Sequence, residues 1–148
     1  MIRSILVGTD GSETAATAVA EAIKLAAALG AELRIVSAYE PVPQAQLRQA
    51  AQSVPRDVAW MVNPRENVEA TLQTAQAAAA AGGVSAHVFA RQGDPADAIL
   101  DVAEETGADL IVVGNKGMTG AKRFLLGSVP NKVSHHAPCS VMIIRTST

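Results

Sequence analysis

The segment DLIVVGN, residues 109–115, is an almost unbroken apolar run of strand-forming residues that meets a glycine, and its reading decides the fold. A strand that is apolar at nearly every position is buried on both faces, as the strands of a parallel sheet covered by helices are. Directly before it, GDPADAILDVAEETG (93–107) reads as a helix, with Asp94 as N-cap, Pro95 at the first helical position, Asp97 in the first turn and Gly107 past the end. Directly after it, NKGMTGAKRFLLGSV (115–129) is rich in glycine and in cations.

Working outward, the same alternation of strand and helix fills the chain. IRSILVG (2–8), ELRIVSAY (32–39), VSAHVFA (84–90) and CSVMIIR (139–145) read as the other strands. SILVG shares the almost wholly apolar character of LIVVG, whereas VSAHVFA alternates Ser85 and His87 with apolar residues, as an edge strand does. Ser12 to Leu29 carries apolar residues at helical spacing and stops at Gly30, and Asp10 with Glu13 resembles a capping box at its start. ENVEATLQTAQAAAAAGG (66–83) is a helix by its alanine run, and a further helix spans about Ser128 to His136 before Pro138. Strands alternating with helices imply an α/β fold, an open five-stranded parallel sheet with helices on both faces. Strands one and four are expected as central neighbours, which gives the order 3-2-1-4-5 and a topological switch between them. Ligands of open α/β sheets bind beyond the carboxyl ends of the strands at such a switch. GTDGS (8–12) and GNKG (114–117) leave those two ends and are expected to meet.

The totals bound the function. A chain of 148 residues, 49% apolar and 18% charged, is expected to form a single domain, residues 1–148. No apolar run approaches the roughly 18 residues of a membrane span, and MIRSILVGTDGSE is too short in apolar residues for a signal peptide, so a soluble cytoplasmic protein with no membrane partner is expected. Cys139, the single cysteine, has no internal disulfide partner and reads as a small buried strand residue. The net charge of −2 conceals an asymmetry: all 14 acidic residues lie within 1–109, while 110–148 holds Lys116, Lys122, Arg123, Lys132 and Arg145 and no acid. An anion is expected to prefer the C-terminal third. A small anionic ligand fits better than nucleic acid, because the pI is near 5.9 and aromatic residues for base stacking make up only 3%. Residues 41–64, with four prolines and no clear period, read as a partly helical excursion whose Trp60 and Met61 either pin it over the sheet edge or form a ligand lid.

Glycine permits close backbone approach, so a strand followed by Gly114, Gly117 and Gly127-Ser128 can turn several N–H groups toward one anion, and the helix opening at Ser128 adds its positive end. The residues alone leave two readings open, a phosphate cradle or a tight strand-to-helix turn. Neither GxxxxGK[ST] nor GxGxxG occurs. His135 and His136 are adjacent and do not face one metal together from a helix, and His87 reads as an exposed edge position. HExxH, CxxC and a Ser-His-Asp order are absent, and the glycine stretch holds no carboxylate to act as a base. No catalytic residue and no metal ligand is assigned; at most slow ATP hydrolysis is expected, with Asp10 the one nearby acid.

Gly114-x-x-Gly117, nine residues, then Gly127-Ser128 resembles the G-2x-G-9x-G-[S/T] signature of the universal stress protein family, in its ATP-binding branch. The resemblance runs over nearly the whole chain, with ILVGTDGSETA similar to the family's opening, GDPADAI to its turn before a helix and LLGSVPNKVSHHAPCSVMIIR to its ending. It implies a Rossmann-like fold of the adenine nucleotide alpha hydrolase type, with a nucleotide across the ends of strands one and four. By matching motif, Gly8, Thr9 and Asp10 would line the adenosine, Asp10 near the ribose or the metal-phosphate end; otherwise Asp10 only caps the helix. Ala38 and Val113 would contact adenine, Gly114 would approach the ribose, and Gly117, Gly127, Ser128 and the Val129 amide would hold the phosphates. Lys116 faces either a phosphate or solvent, and GNKG departs from the family's commoner Ser-His or Ser-Arg filling. The resemblance implies a stress-response sensor or regulator. ATP with Mg2+ is the favoured ligand, AMP or cAMP the alternatives, and a homodimer is expected through the last strand, residues 139–145. Two other readings stand beside it, a slow ATPase or phosphotransferase using the same cradle and a nucleotide-independent interaction module.

Overall fold

Successive side chains of a strand point to opposite faces, so a strand buried at every position feeds two cores at once. β1 (Ser4–Gly8) does this: Ile5 and Val7 enter one core cluster and Leu6 the other. The computed structural model describes residues 1–39, 64–115 and 128–146. In them β1 is followed by α1 (Glu13–Leu29), β2 (Glu32–Tyr39), α2 (Pro64–Ala81), β3 (Ala86–Gln92), α3 (Pro95–Thr106), β4 (Leu110–Gly114), α4 (Ser128–His136) and β5 (Ser140–Ile144). All pairings are parallel and the strand order is β3-β2-β1-β4-β5, as expected, with β3 at one edge.

β4 repeats the division made by β1, with Leu110 and Val112 on one face and Ile111 and Val113 on the other. α1 covers the first face with a stripe of small residues, Ala15, Ala18, Val19, Ala22, Ile23 and Ala26, spaced three or four apart. α2 joins it through Val68, Leu72, Ala75 and Ala79. On the second face α3 supplies Ile99, Val102 and Ala103, and α4 supplies Val129 and Val133. Full burial of a Val, Leu or Ile side chain contributes about 1.5–3 kcal/mol, so this two-sided core dominates the stability of the sheet.

The helix spanning 93–107 has the ends read from sequence: the Asp94 carboxylate accepts from the Asp97 N–H at 3.1 Å and Gly107 closes it at φ 64°. The capping box at the start of α1 is corrected. Ser12 is the N-cap, its Oγ accepting from the Ala15 N–H at 3.2 Å, because Asp10 is drawn into the preceding turn. Other boundaries move by one or two residues. β3 runs on to Gln92, where Gly93 N–H donates to Tyr39 O at 2.7 Å, and α2 begins two residues earlier, at Pro64. Cys139 is half-buried and lies just before β5 rather than on it. Among the described residues no helix is long and apolar enough to cross a membrane. Most of the excursion with Trp60 and Met61, and Lys116, Gly117, Gly120, Lys122, Arg123 and Gly127, lie outside the described residues.

Candidate functional site

The carboxyl ends of β1 and β4 lie side by side in register, Ile5 opposite Leu110 and Val7 opposite Val112, so the chain leaves both strands at one place. At the β1 exit the backbone turns sharply. Thr9 is buried, its N–H donates to Val36 O at 3.0 Å, and its Oγ1 accepts from the Gly11 N–H at 3.1 Å. The Asp10 carboxylate accepts from the Ser12 N–H at 2.9 Å, the local side-chain turn that aspartate favours. Gly11 completes the turn at φ 84°, a conformation open to glycine and strained for other residues. Asp10 therefore organises the loop ahead of α1 without being its cap.

At the β4 exit, Val113 is buried against α3 and α4, and Gly114 closes the strand. Asn115, the first loop residue, turns its side chain toward the chain end that follows β5 and accepts there from Thr146. A Cβ placed on Gly114 would lie 3.1 Å from Thr146 Cγ2, tighter than ordinary contact, so this exit has little room for a side chain. α4 opens beside it: Ser128 is exposed and Val129 is buried.

Between these elements is a cleft that brings together Gly8, Val113, Gly114 and Val129, four residues singled out from sequence. Thr14 and Ala15 of α1 and Ile99 of α3 complete it, and these were not foreseen. Thr14 and Ala15 were legible in principle, since the first turn of a helix that follows a switch-point strand faces the same end of the sheet. Ile99 enters by tertiary packing, which a one-dimensional pattern does not carry. Thr9 and Asp10 stand in the adjoining turn, Ser128 lies at the α4 start, and Ala38 packs into the same core face as Val113 without lining the cleft. Gly117 and Gly127 lie outside the described residues.

A larger groove of about 770 Å³ runs along α3, lined by Asp97, Asp101, Glu104 and Glu105. Its carboxylates repel phosphate, whereas among the described residues no acid lines the β1/β4 cleft. Lys132 of α4 reaches back to that groove, 2.8 Å from Asp97 and 3.6 Å from Asp94, and its pKa is raised chiefly by the hydrogen bond to Asp97. One of the cations of the C-terminal third is thus committed to holding α4 against α3. His87, His135 and His136 are exposed, and no cluster of three potential metal-binding side chains occurs among the described residues.

The model of the Universal stress protein family matches residues 1–145. Universal stress protein YxiE of Bacillus subtilis (strain 168) is 36% identical to this chain over 148 residues, covering 98% of this chain and 100% of that protein. Universal stress protein Rv1636 of Mycobacterium tuberculosis (strain ATCC 25618 / H37Rv) is 37% identical over 146 residues, with 98% and 97% covered. Among solved structures, a universal stress protein in complex with cAMP is similar with a TM-score of 0.75, 36% identity and 99% of each chain covered. Universal stress protein UspA from Lactobacillus plantarum is similar with a TM-score of 0.79, 25% identity, and 97% and 98% covered.

Proposed function

The chain belongs to the universal stress protein family, and we propose that it binds an adenine nucleotide across the ends of β1 and β4 and acts through its bound state rather than through turnover. The observation that carries this reading is the junction itself, where Gly8 and Gly114 end adjacent strands at the topological switch and α4 starts beside them. The solved relative in complex with cAMP, 36% identical over 99% of this chain, supports the ligand class.

Gly8, Thr9 and Asp10 line the adenosine in this proposal, Ala38 and Val113 contact adenine, and Gly114 approaches the ribose. Gly117, Gly127, Ser128 and the Val129 amide hold the phosphates, where the N-terminal end of α4 favours negative charge. The exits are bare backbone, as close approach of a ligand requires, and the chain's own packing keeps them so: a Cβ at Gly8 would lie 2.6 Å from Ile99 Cδ1, and one at Gly114 3.1 Å from Thr146 Cγ2. ATP is the favoured nucleotide, with AMP and cAMP as alternatives, because N–H groups recognise phosphate oxygens without counting phosphates. Bound Mg2+ would neutralise phosphate charge, and Asp10, in the turn at the β1 exit, is the carboxylate that would serve it. We propose further that the protein is a cytoplasmic stress-response sensor or regulator, and that it is a homodimer through residues 139–145.

The test is a thermal-melt panel with ATP plus magnesium, AMP, cAMP, GTP and FMN on the wild type and Gly117→Val. A ligand at about a hundred times its dissociation constant stabilises by roughly 2.7 kcal/mol, which raises the midpoint by several degrees in a chain of this size. A rise with adenine nucleotides alone, lost in the variant, is the expected result. No rise with any nucleotide would return the glycines to a purely structural role.

A further inference from the structure

Three side chains of the cleft, those of Thr14, Ala15 and Ile99, have no nucleotide contact assigned to them. Ile99 reaches from α3 across the end of β1, so that a Cβ built on Gly8 would lie 2.6 Å from its Cδ1 and 3.0 Å from its Cγ1. The isoleucine's terminal ethyl therefore occupies the space that any other residue at position 8 would fill, and it is itself only 1% exposed. The volume left in the cleft is ≈ 20 Å³, room for about one water molecule and far below what a purine ring needs.

Of the lining side chains, only that of Ile99 has a second heavy-atom torsion. Gly8 and Gly114 are strand backbone, held in register with Val36 and Ile144. Thr14, Val113 and Val129 are β-branched and stiff about χ1. The ethyl arm of Ile99 can turn about χ2 between staggered positions while its α-carbon stays fixed in α3.

We propose that Ile99 is a specificity-determining residue of the adenine cleft: its δ-methyl fills the floor, turns aside as the base seats, and sets how deep a purine sinks. The inference rests on the nucleotide reading above and adds a selectivity rule to it, that substituents on the buried edge of the base are rejected by the Ile99 arm.

The test compares the wild type with Ile99→Val, which removes the δ-methyl alone. Calorimetric titration with AMP, 2-chloro-AMP, N6-methyl-AMP and 8-bromo-AMP gives each substituted base's affinity relative to AMP. A missing methyl in an apolar pocket is worth tenfold or more, so the most strongly rejected of the three should gain at least tenfold on AMP in the variant, with the ratio of ATP to AMP affinity unchanged. A residue that serves packing alone would lower stability and leave every ratio as it was. If the wild type binds AMP and the ratios do not move, the role given to Ile99 is overturned while the site stands; if the wild type binds no adenine nucleotide, both are overturned. A second cycle needs no ligand: Gly8→Ala should lower the melting temperature, and Ile99→Val, which removes Cδ1 and keeps Cγ1, should relieve part of that loss in the double variant. Losses that simply add would overturn the contact on which the proposal is built.

Discussion

The Asn115 side-chain oxygen accepts two hydrogen bonds from Thr146, from the backbone N–H at 2.8 Å and from the hydroxyl at 2.9 Å. A backbone N–H only donates, so the amide oxygen of Asn115 must be the atom that faces it. Asn115 N–H in turn donates to Ile144 O at 2.9 Å. The first residue of the glycine-rich loop is thereby fastened to the segment that follows β5.

Removing that clasp should be measurable. Asn115→Ala leaves two partly buried donors of Thr146 without their acceptor, at a cost of about 1–2 kcal/mol, or several degrees of melting temperature. Thr146→Val removes only the hydroxyl bond and should lose about half as much. Both variants melting with the wild type would show that the clasp contributes nothing.

Gly11 offers a test of the β1 turn. At φ 84°, an added Cβ would also lie 2.8 Å from Thr71 Oγ1 on α2. Gly11→Ala therefore meets two penalties, the left-handed backbone at about 1–2 kcal/mol and the clash. Thr71→Ala in the same chain should recover the second and leave the first. Full recovery in scanning calorimetry would mean that the backbone carries no strain.

The parts of the fold legible in sequence are those set by local pattern. Almost wholly apolar SILVG and LIVVG marked central strands because burial on both faces favours apolar residues, and His87 marked the edge because, among the described residues, β3 pairs with β2 alone. Asp94, Pro95 and Gly107 gave the ends of α3 because capping is a matter of a few adjacent residues. What depends on approach between distant segments was not legible. Asp10 and Ser12 compete for the cap of α1, and only the buried Thr9, bonded to Val36, places the turn so that serine wins. Ile99 meets Gly8 across 91 positions of chain, and no spacing rule encodes that contact.

Cys139 supplies a pH-dependent prediction. Its pKa is raised above 9.0, first by burial and then by the charge of Asp109, with a hydrogen bond to the Ile111 backbone opposing. The folded protein thus holds this proton more tightly than the unfolded chain does. Any stability linked to it is complete below the unfolded value and is lost as pH rises through the folded one. At pH 8.5 the folded thiol should react with iodoacetamide several-fold more slowly than the same thiol in guanidinium, and the gap should narrow as pH rises further. Equal rates at pH 8.5 would show that the fold does not protect the thiol.

The proposed dimer makes the last prediction. β5 pairs with β4 on one side, and among the described residues no strand covers its other edge. Met142 and Ile143 stand 38% and 39% exposed on it, and no charge precedes Arg145 to discourage pairing. An open edge of this kind is a template for another strand, and proteins that leave such an edge unused generally blunt it with charge. Ile143→Lys introduces that charge at a half-exposed position, where the side chain can reach water and the inner core is untouched. The wild type should scatter light as a dimer and the variant as a monomer with a melting curve still cooperative. An unchanged dimer mass would place the interface elsewhere, and a monomeric wild type would mean that the apolar edge of β5 has no partner in another copy of this chain.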